Sequence, residues 1–231
     1  MNAWQIFIRG FIEKEGYKIF LQGLLTTLQI AVFGLLVGMV IGSLLAVFKL
    51  LPSDTWISKP LKILTDIYVA LFRGTPMVVQ LLLIHFVVFP AMGINIPSVV
   101  EGVLAFGFNS GAYVCEIMRG GILSVDKGQT EAGRALGLSY GKTMLKIVIP
   151  QAIKNVIPTL GNEFIALIKE TSVVSFIAIV DVTKAFETIA ASSYEYVVPY
   201  VILAITYLIL VLLITALVKL LERRLRASDK R

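Results

Sequence analysis

Of 231 residues, 57% are hydrophobic and 16% charged, against about 45–50% and about 25% in soluble globular domains, too little polar surface for a water-soluble fold. The net charge of +6 is carried by connecting segments and the C-terminus, so it does not describe a nucleic-acid-binding face. One cysteine and one histidine exclude an internal disulfide framework and any cysteine or histidine-cluster metal centre.

Residues 1–18 mix Trp4, Ile6, Phe7, Ile8, Phe11 and Ile12 with Arg9, Glu13, Lys14, Glu15 and Lys18, the pattern of an outer segment lying on membrane lipid rather than crossing it. Residues 19–48 hold no charged residue, 74–100 none but His85, and 196–218 none. Each run exceeds the roughly 20 residues a helix needs to cross a bilayer. A secretory signal fits poorly, because the first run is too long and lacks a small-residue cleavage site. The first span is expected at 20–48, where Gly34, Gly38 and Gly42 recur every four residues and lead to Ala46. That spacing lays a smooth ridge on one helical face, open to close approach by another backbone. Lys49 to Lys62 reads as a short basic loop with Pro52, Trp56 and Pro60.

The second span, 63–89, is broken at Arg73-Gly74-Thr75-Pro76, a bend lined by protein rather than lipid. Arg73 either anchors the span near the headgroups or pairs with an acidic residue inside the bundle. His85 reads as a packed or hydrogen-bonded side chain. Residues 90–97 carry no charge, and a third span follows at 98–118, with Gly107, Asn109, Ser110, Gly111 and Ala112 through its middle, small and polar residues that suggest a helix facing other helices or a pathway. Glu101, near its outer end, is expected to meet headgroups or a docking protein.

The interval 119–150, RGGILSVDKGQTEAGRALGLSYGKTMLKIVIP, is polar, basic and rich in helix formers, unlike its surroundings. Residues 126–136 favour helix, Gly137 permits a tight turn, and Ser139 can cap a second short helix in which Tyr140, Met144 and Ile147 or Val148 share a face. Two short helices at an angle make either a knob that could fill a soluble partner's groove or a surface pair that only closes the inner face. A fourth span is expected at 149–168, with Lys154, Pro158, Asn162 and Glu163 within it. Lys169-Glu170-Thr171-Ser172 then interrupts it, a short apolar helix follows at 173–180, and Asp181 caps a polar segment ending at Ser193. The fifth span covers 196–221, with Pro199 in its first turn and Tyr194, Tyr196 and Tyr200 at interfacial level.

Five spans place the termini on opposite sides. Lysine and arginine concentrate at Lys49–Lys62, in 119–150 and from Lys219 onward, leaving Arg9, Lys14, Lys18 and Lys184 on the other side. The bias predicts N-terminus out and C-terminus in, with 119–150 cytoplasmic. The expected organisation is an outer interfacial segment at 1–18, one transmembrane domain at 19–221 and a basic cytoplasmic tail at 222–231.

Ionisable groups inside spans are functional suspects. Glu163 and Glu170 lie seven apart, nearly two turns, and share a face if the helix continues. With Asn162 they offer carboxylates to a substrate ammonium or guanidinium, while Asn109, Ser110 and Thr171 stand ready for α-amino and α-carboxylate groups. The competing reading pairs Glu170 with Lys169 or Arg73 and makes Glu163 part of a packing network.

Glu131-Ala132-Gly133, three residues, Gly137, nine residues, then Ile147-x-x-Pro150 resembles the EAA motif of bacterial ABC importer permeases. Gly133 stands where that family has alanine, and Ile149 where it has leucine. Phe72 to Pro76, 109–113, Glu116-x-x-Arg119-Gly120, Gly128-Gln129, Pro150-Gln151-Ala152 and 169–172 resemble its polar amino acid branch. The resemblance implies an all-α, polytopic type I ABC importer transmembrane domain with five transmembrane helices in a bacterial inner membrane. It further implies half of a pore, completed by a second permease copy or paralogue. A dimer of cytoplasmic ATP-binding subunits would receive Glu131, Ala132, Gly133, Ala135, Gly137, Tyr140 and Met144, and an extracytoplasmic solute-binding protein would deliver an amino acid, basic by the carboxylate argument. ATP and magnesium would bind the partner subunit, no cofactor this chain, which lacks a G-x-x-x-x-G-K-[ST] phosphate cradle. An ion-driven secondary transporter and a non-transporting membrane scaffold are the rival readings.

Overall fold

A long uninterrupted run of apolar residues with no interior proline has one way to satisfy its backbone away from water, and 16–50 forms a single helix, α2 (Gly16–Leu50). The computed structural model describes residues 2–51 and 56–227; Met1, Pro52 of the basic loop and the last four residues of the basic tail lie outside them. Before α2 runs the short α1 (Ala3–Ile8), continued by a π turn at Arg9–Glu13. Its rings stack along the chain, Phe7 on Phe11 and Phe11 near Phe20, and this ladder ends on Phe186.

The glycine ridge of α2 faces α6 (Ser98–Leu123). A Cβ on Gly38 would lie 2.8 Å from the Ser110 Cβ, and one on Gly42 2.6 Å from the Val114 Cβ. No side chain fits between these backbones, so the expected smooth face is where the two helices touch. α6 is the centre of the molecule, with Ala105, Phe106, Ala112, Val114 and Cys115 fully buried.

α3 (Ser58–Gly74) and α4 (Met77–Leu83) meet at 108° across Thr75 and Pro76. α4 continues through a π turn at Ile84–Val88 into α5 (Phe89–Ala91). After α6 come α7 (Lys127–Ala135) and α8 (Tyr140–Thr143), the latter running through a π turn at Met144–Val148 into α9 (Ile149–Glu170). The expected apolar helix at 173–180 is a 3-10 helix, Thr171–Ile177, ended by Ala178 at φ 59°. Asp181 caps α10 (Val182–Ser193) by accepting from the Lys184 N–H at 2.8 Å, and α11 (Val197–Ala227) closes the chain.

The expected five crossings, and the orientation deduced from them, are overturned. Among the described residues two helices, Gly16–Leu50 and Val197–Arg224, are long and apolar enough to cross a membrane, or three if the bent pair Ser58–Gly74 and Met77–Ala91 is one span. Helices α6 and α9 have the length but not the composition. Glu101, Asn109 and Glu116 interrupt one, and Gln151, Lys154, Asn155, Asn162 and Glu163 the other. Glu101, Asn109 and Ser110 are buried against other helices, so their polarity is met by protein rather than presented to lipid.

Candidate functional site

The bend at 72–76 is the first device the sequence builds. Pro76 has no N–H, so the last carbonyls of α3 lose their helical partners. The Gln80 side chain replaces them, its Nε2 donating to the Phe72 and Thr75 carbonyls at 2.8 and 2.9 Å. Asn109 of α6 reaches the same place, donating to the Phe72 carbonyl and to Gln80 Oε1 at 2.9 Å. Asn109 is thus a buried brace of the bend. Gln80→Leu is expected to destabilise the chain by about 1–3 kcal/mol, the cost of leaving buried acceptors unmade; an unchanged thermal midpoint in detergent would contradict this role.

Beyond the bend, the guanidinium carbon of Arg73 stands 5.2 Å from the centre of the Tyr113 ring, a cation–π contact. Both residues line a cavity of about 500 Å³ together with Glu116, Asn155 and Thr159. Asn155, Thr159 and Glu163 follow at four-residue intervals on α9, one side of that helix. The polar stripe therefore climbs from the cavity to Glu163, whose Oε1 accepts from the buried Ser110 hydroxyl at 2.9 Å. Thr171 is also buried, its hydroxyl donating to the Ile168 carbonyl at 2.7 Å. Asn162 and Glu170 are exposed. Glu163 and Ser110 are thus in contact, Asn109 and Thr171 are turned into the backbone, and Asn162 and Glu170 face outward.

Glu101 departs from its expected exposure: it is buried, with Oε2 against the His85 Nδ1, which satisfies the hydrogen-bonded reading of that histidine.

The 119–150 interval folds as two capped helices. The Asp126 carboxylate accepts from the Gly128 N–H at 2.6 Å and the Ser139 hydroxyl from the Lys142 N–H, while Gly137 turns the chain at φ 79°. Gly133 is the buried residue of α7, and a Cβ there would lie 2.6 Å from Thr143 Cγ2. The close crossing of α7 with α8 is the physical reason glycine stands there. Glu131, Ala132, Ala135, Gly137 and Tyr140 are exposed. Met144 instead packs inward on Val125, Val148 and Ala152. Two apolar side chains the pattern did not single out stand clear beside Tyr140: Leu136 is 79% and Leu145 69% exposed.

Residues 21–227 match the model of the family described as binding-protein-dependent transport system inner membrane component. The arginine transport system permease protein ArtQ of Bacillus subtilis is 39% identical over 90% of this chain and 93% of its own length. The putative glutamine transport system permease protein GlnP of Rickettsia bellii is 39% identical over 90% and 93%. A solved amino acid ABC transporter crystallised with histidines superimposes with a TM-score of 0.83 at 40% identity, over 92% of this chain and 96% of that one. The inward-facing MetNI methionine ABC transporter superimposes at 0.75 and 18% identity, over 90% and 96%, a likeness of fold.

Proposed function

The chain belongs to the family of binding-protein-dependent transport system inner membrane components, the permease subunits of ABC-type importers, and we propose that it forms part of the path by which an amino acid, preferentially a cationic one, enters the cell. As a family member it is an inner-membrane permease, not an ATPase; ATP hydrolysis resides in a separate subunit. Transport of amino acids agrees with the arginine and glutamine systems named for its relatives and with the amino acid transporter it superimposes on. Glu163 supports the cationic preference, as a carboxylate at the top of the polar stripe whose hydrogen-bond partner among the described residues is the neutral Ser110 hydroxyl, although the Arg73 charge also acts on it. Around it Asn109, Ser110, Asn162, Glu170 and Thr171 make up the proposed path, the buried ones shaping it and the exposed ones facing it.

The observation that carries the coupling role is the exposed apolar set Leu136, Tyr140 and Leu145 on an otherwise polar helix pair. Such groups stabilise little where they are and much inside a partner's groove. We assign 119–150 to the cytoplasmic side, docked on a dimer of the ATPase, with Glu131, Ala132, Ala135 and Gly137 beside the apolar set and Gly133 and Met144 bracing it from within. A second copy or a paralogue would complete the pore, a solute-binding protein would deliver the solute from outside, and residues 1–18 would rest on lipid. Leu136→Asp is expected to weaken co-purification of the ATPase subunit about 30-fold, the weight of one hot-spot residue of about 2 kcal/mol. Undiminished recovery, or Leu136 labelled from outside the cell by an impermeant reagent on a cysteine variant, would overturn the assignment.

A further inference from the structure

Helix α6 runs into the 119–150 loop through a pair of glycines. It ends at Leu123, and Asp126 then caps α7, so a displacement of α7 enters α6 across Gly120-Gly121, while α8 runs on directly into α9. An interior glycine weakens a helix by about 1 kcal/mol relative to alanine. Gly121 is held on one side, where an added Cβ would lie 2.2 Å from Val156 Cγ2, whereas a Cβ added at Gly120 would meet nothing within 4 Å. Unsupported, this is where a lever would fold.

One turn earlier stands an ion cluster whose Glu116 also lines the cavity at the foot of the polar stripe. Glu116 Oε1 accepts from Lys49 Nζ at 2.6 Å, and its Oε2 accepts from Arg119 Nε and Nη2 at 3.0 and 2.8 Å. Lys49 also meets Asp66 Oδ1 at 2.8 Å. Both oxygens of Glu116 are engaged, Lys62 lines the same pocket, and the side chains of Glu116 and Lys49 are 20% and 14% exposed while those of Arg119 and Asp66 are 38% and 63%. The partners come from three helices: Lys49 from the last turn of α2, Asp66 from α3, Glu116 and Arg119 from α6. α3 leads directly into the bend at 73–76.

We infer that Glu116 is a positioning residue for coupling: by tying α6 to α2 and α3 one turn before Gly120-Gly121, it makes the three helices move as one body, so that the displacement that passes the glycines into α6 is handed on to α3 and the bend. The inference rests on the assignment of 119–150 as the ATPase-docking loop. Low local dielectric strengthens such a network, and removal of one member leaves its partners' charges without compensation. A purely static role would lower stability as well, so the decisive readout is coupling.

The test uses the assembled importer, with its ATPase and binding protein, in vesicles supplied with labelled arginine and glutamine together, and reads solute moved per ATP hydrolysed. Glu116→Gln is expected to lower that ratio at least about fivefold, the lower end of ordinary coupling strengths, while ATP turnover persists. Glu116→Asp, which keeps the charge with a shorter reach, is expected to fall between. Adding Gly120→Ala, for which there is room, stiffens the helix on the loop side of Glu116 but does not replace the tie to α2 and α3, and is expected to leave the ratio of Glu116→Gln lowered. An unchanged ratio in both Glu116 variants overturns the inference, and so does a Glu116→Gln ratio that Gly120→Ala returns to the native value. A normal ratio in Glu131→Ala would instead defeat the docking-loop assignment; Glu131→Ala uncoupled beside a normal Glu116→Gln would defeat this inference alone.

Discussion

Glu163→Gln is expected to reduce uptake of arginine and lysine about 10- to 100-fold, the weight of 1.5–3 kcal/mol for a hydrogen bond to a charged group, while glutamine uptake is retained. The amide is nearly the same shape as the carboxylate and its oxygen can still accept from the Ser110 hydroxyl, 2.9 Å away in the native chain. Insertion, packing and association with the ATPase are therefore expected to persist, so that the change isolates charge. Ser110→Ala supplies the complement: it removes the neutral partner and leaves the carboxylate, and cationic uptake is expected to survive it better than it survives Glu163→Gln. Initial rates in reconstituted vesicles, with ATP turnover followed alongside, make the comparison. Undiminished arginine entry in Glu163→Gln would end the cationic reading and leave Glu163 as a packing group.

The second large effect concerns the contact between α2 and α6. In Gly42→Ala the new methyl would sit 2.6 Å from the Val114 Cβ and 2.7 Å from the Cys115 backbone nitrogen, well inside van der Waals contact. Neither neighbour is the flexible tip of a side chain, so the helices themselves must separate. Overpacking of this kind costs about 1–3 kcal/mol, and here it also parts the Gly38–Ser110 approach next to Glu163. A lowered thermal midpoint and loss of assembled complex are expected. Gly141→Ala, where an added Cβ meets nothing within 4 Å, is expected to leave the midpoint unchanged or raised. Val114→Ala, placed in the Gly42→Ala background, should return part of the loss, since it removes the Cγ1 methyl 2.7 Å from the intruder. Equal midpoints for Gly42→Ala and the native chain would mean that the ridge is not a site of close packing.

Features set by a few consecutive residues were legible in the sequence. The four-residue glycine spacing gave a packing face, Asp181 and Ser139 gave caps, and Gly137 gave a turn, because each needs only local backbone geometry. The membrane count was not legible in that way. Charge-poor length was read as a crossing, and the small and polar residues of the third expected span as facing other helices or a pathway; Glu101, Asn109 and Ser110 of α6 are buried, whereas Asn155 and Asn162 of α9 are exposed, a difference that a one-dimensional pattern does not carry. The candidate site divides along the same line. Glu163 and Ser110 stood out as polar groups in apolar surroundings. Their meeting across 53 positions, the Gln80–Asn109 brace of the bend and the Lys49–Glu116 pair are tertiary facts with no local signature. Leu136 and Leu145 were passed over because an apolar residue in a helical pattern reads as core until its surroundings are known.

The π turn at Met144–Val148 sits inside one unbroken helical run from Tyr140 to Glu170. A π turn holds one residue more than the α turn it replaces, and one residue is about 100° of rotation on a helix of 3.6 residues per turn. The angular offset between Tyr140 at one end and Glu163 further along is therefore a crankshaft setting fixed by a single inserted residue. Chain length at this point is a matter of phase, and a deletion there would re-aim one end of the shaft against the other while leaving every residue type in place.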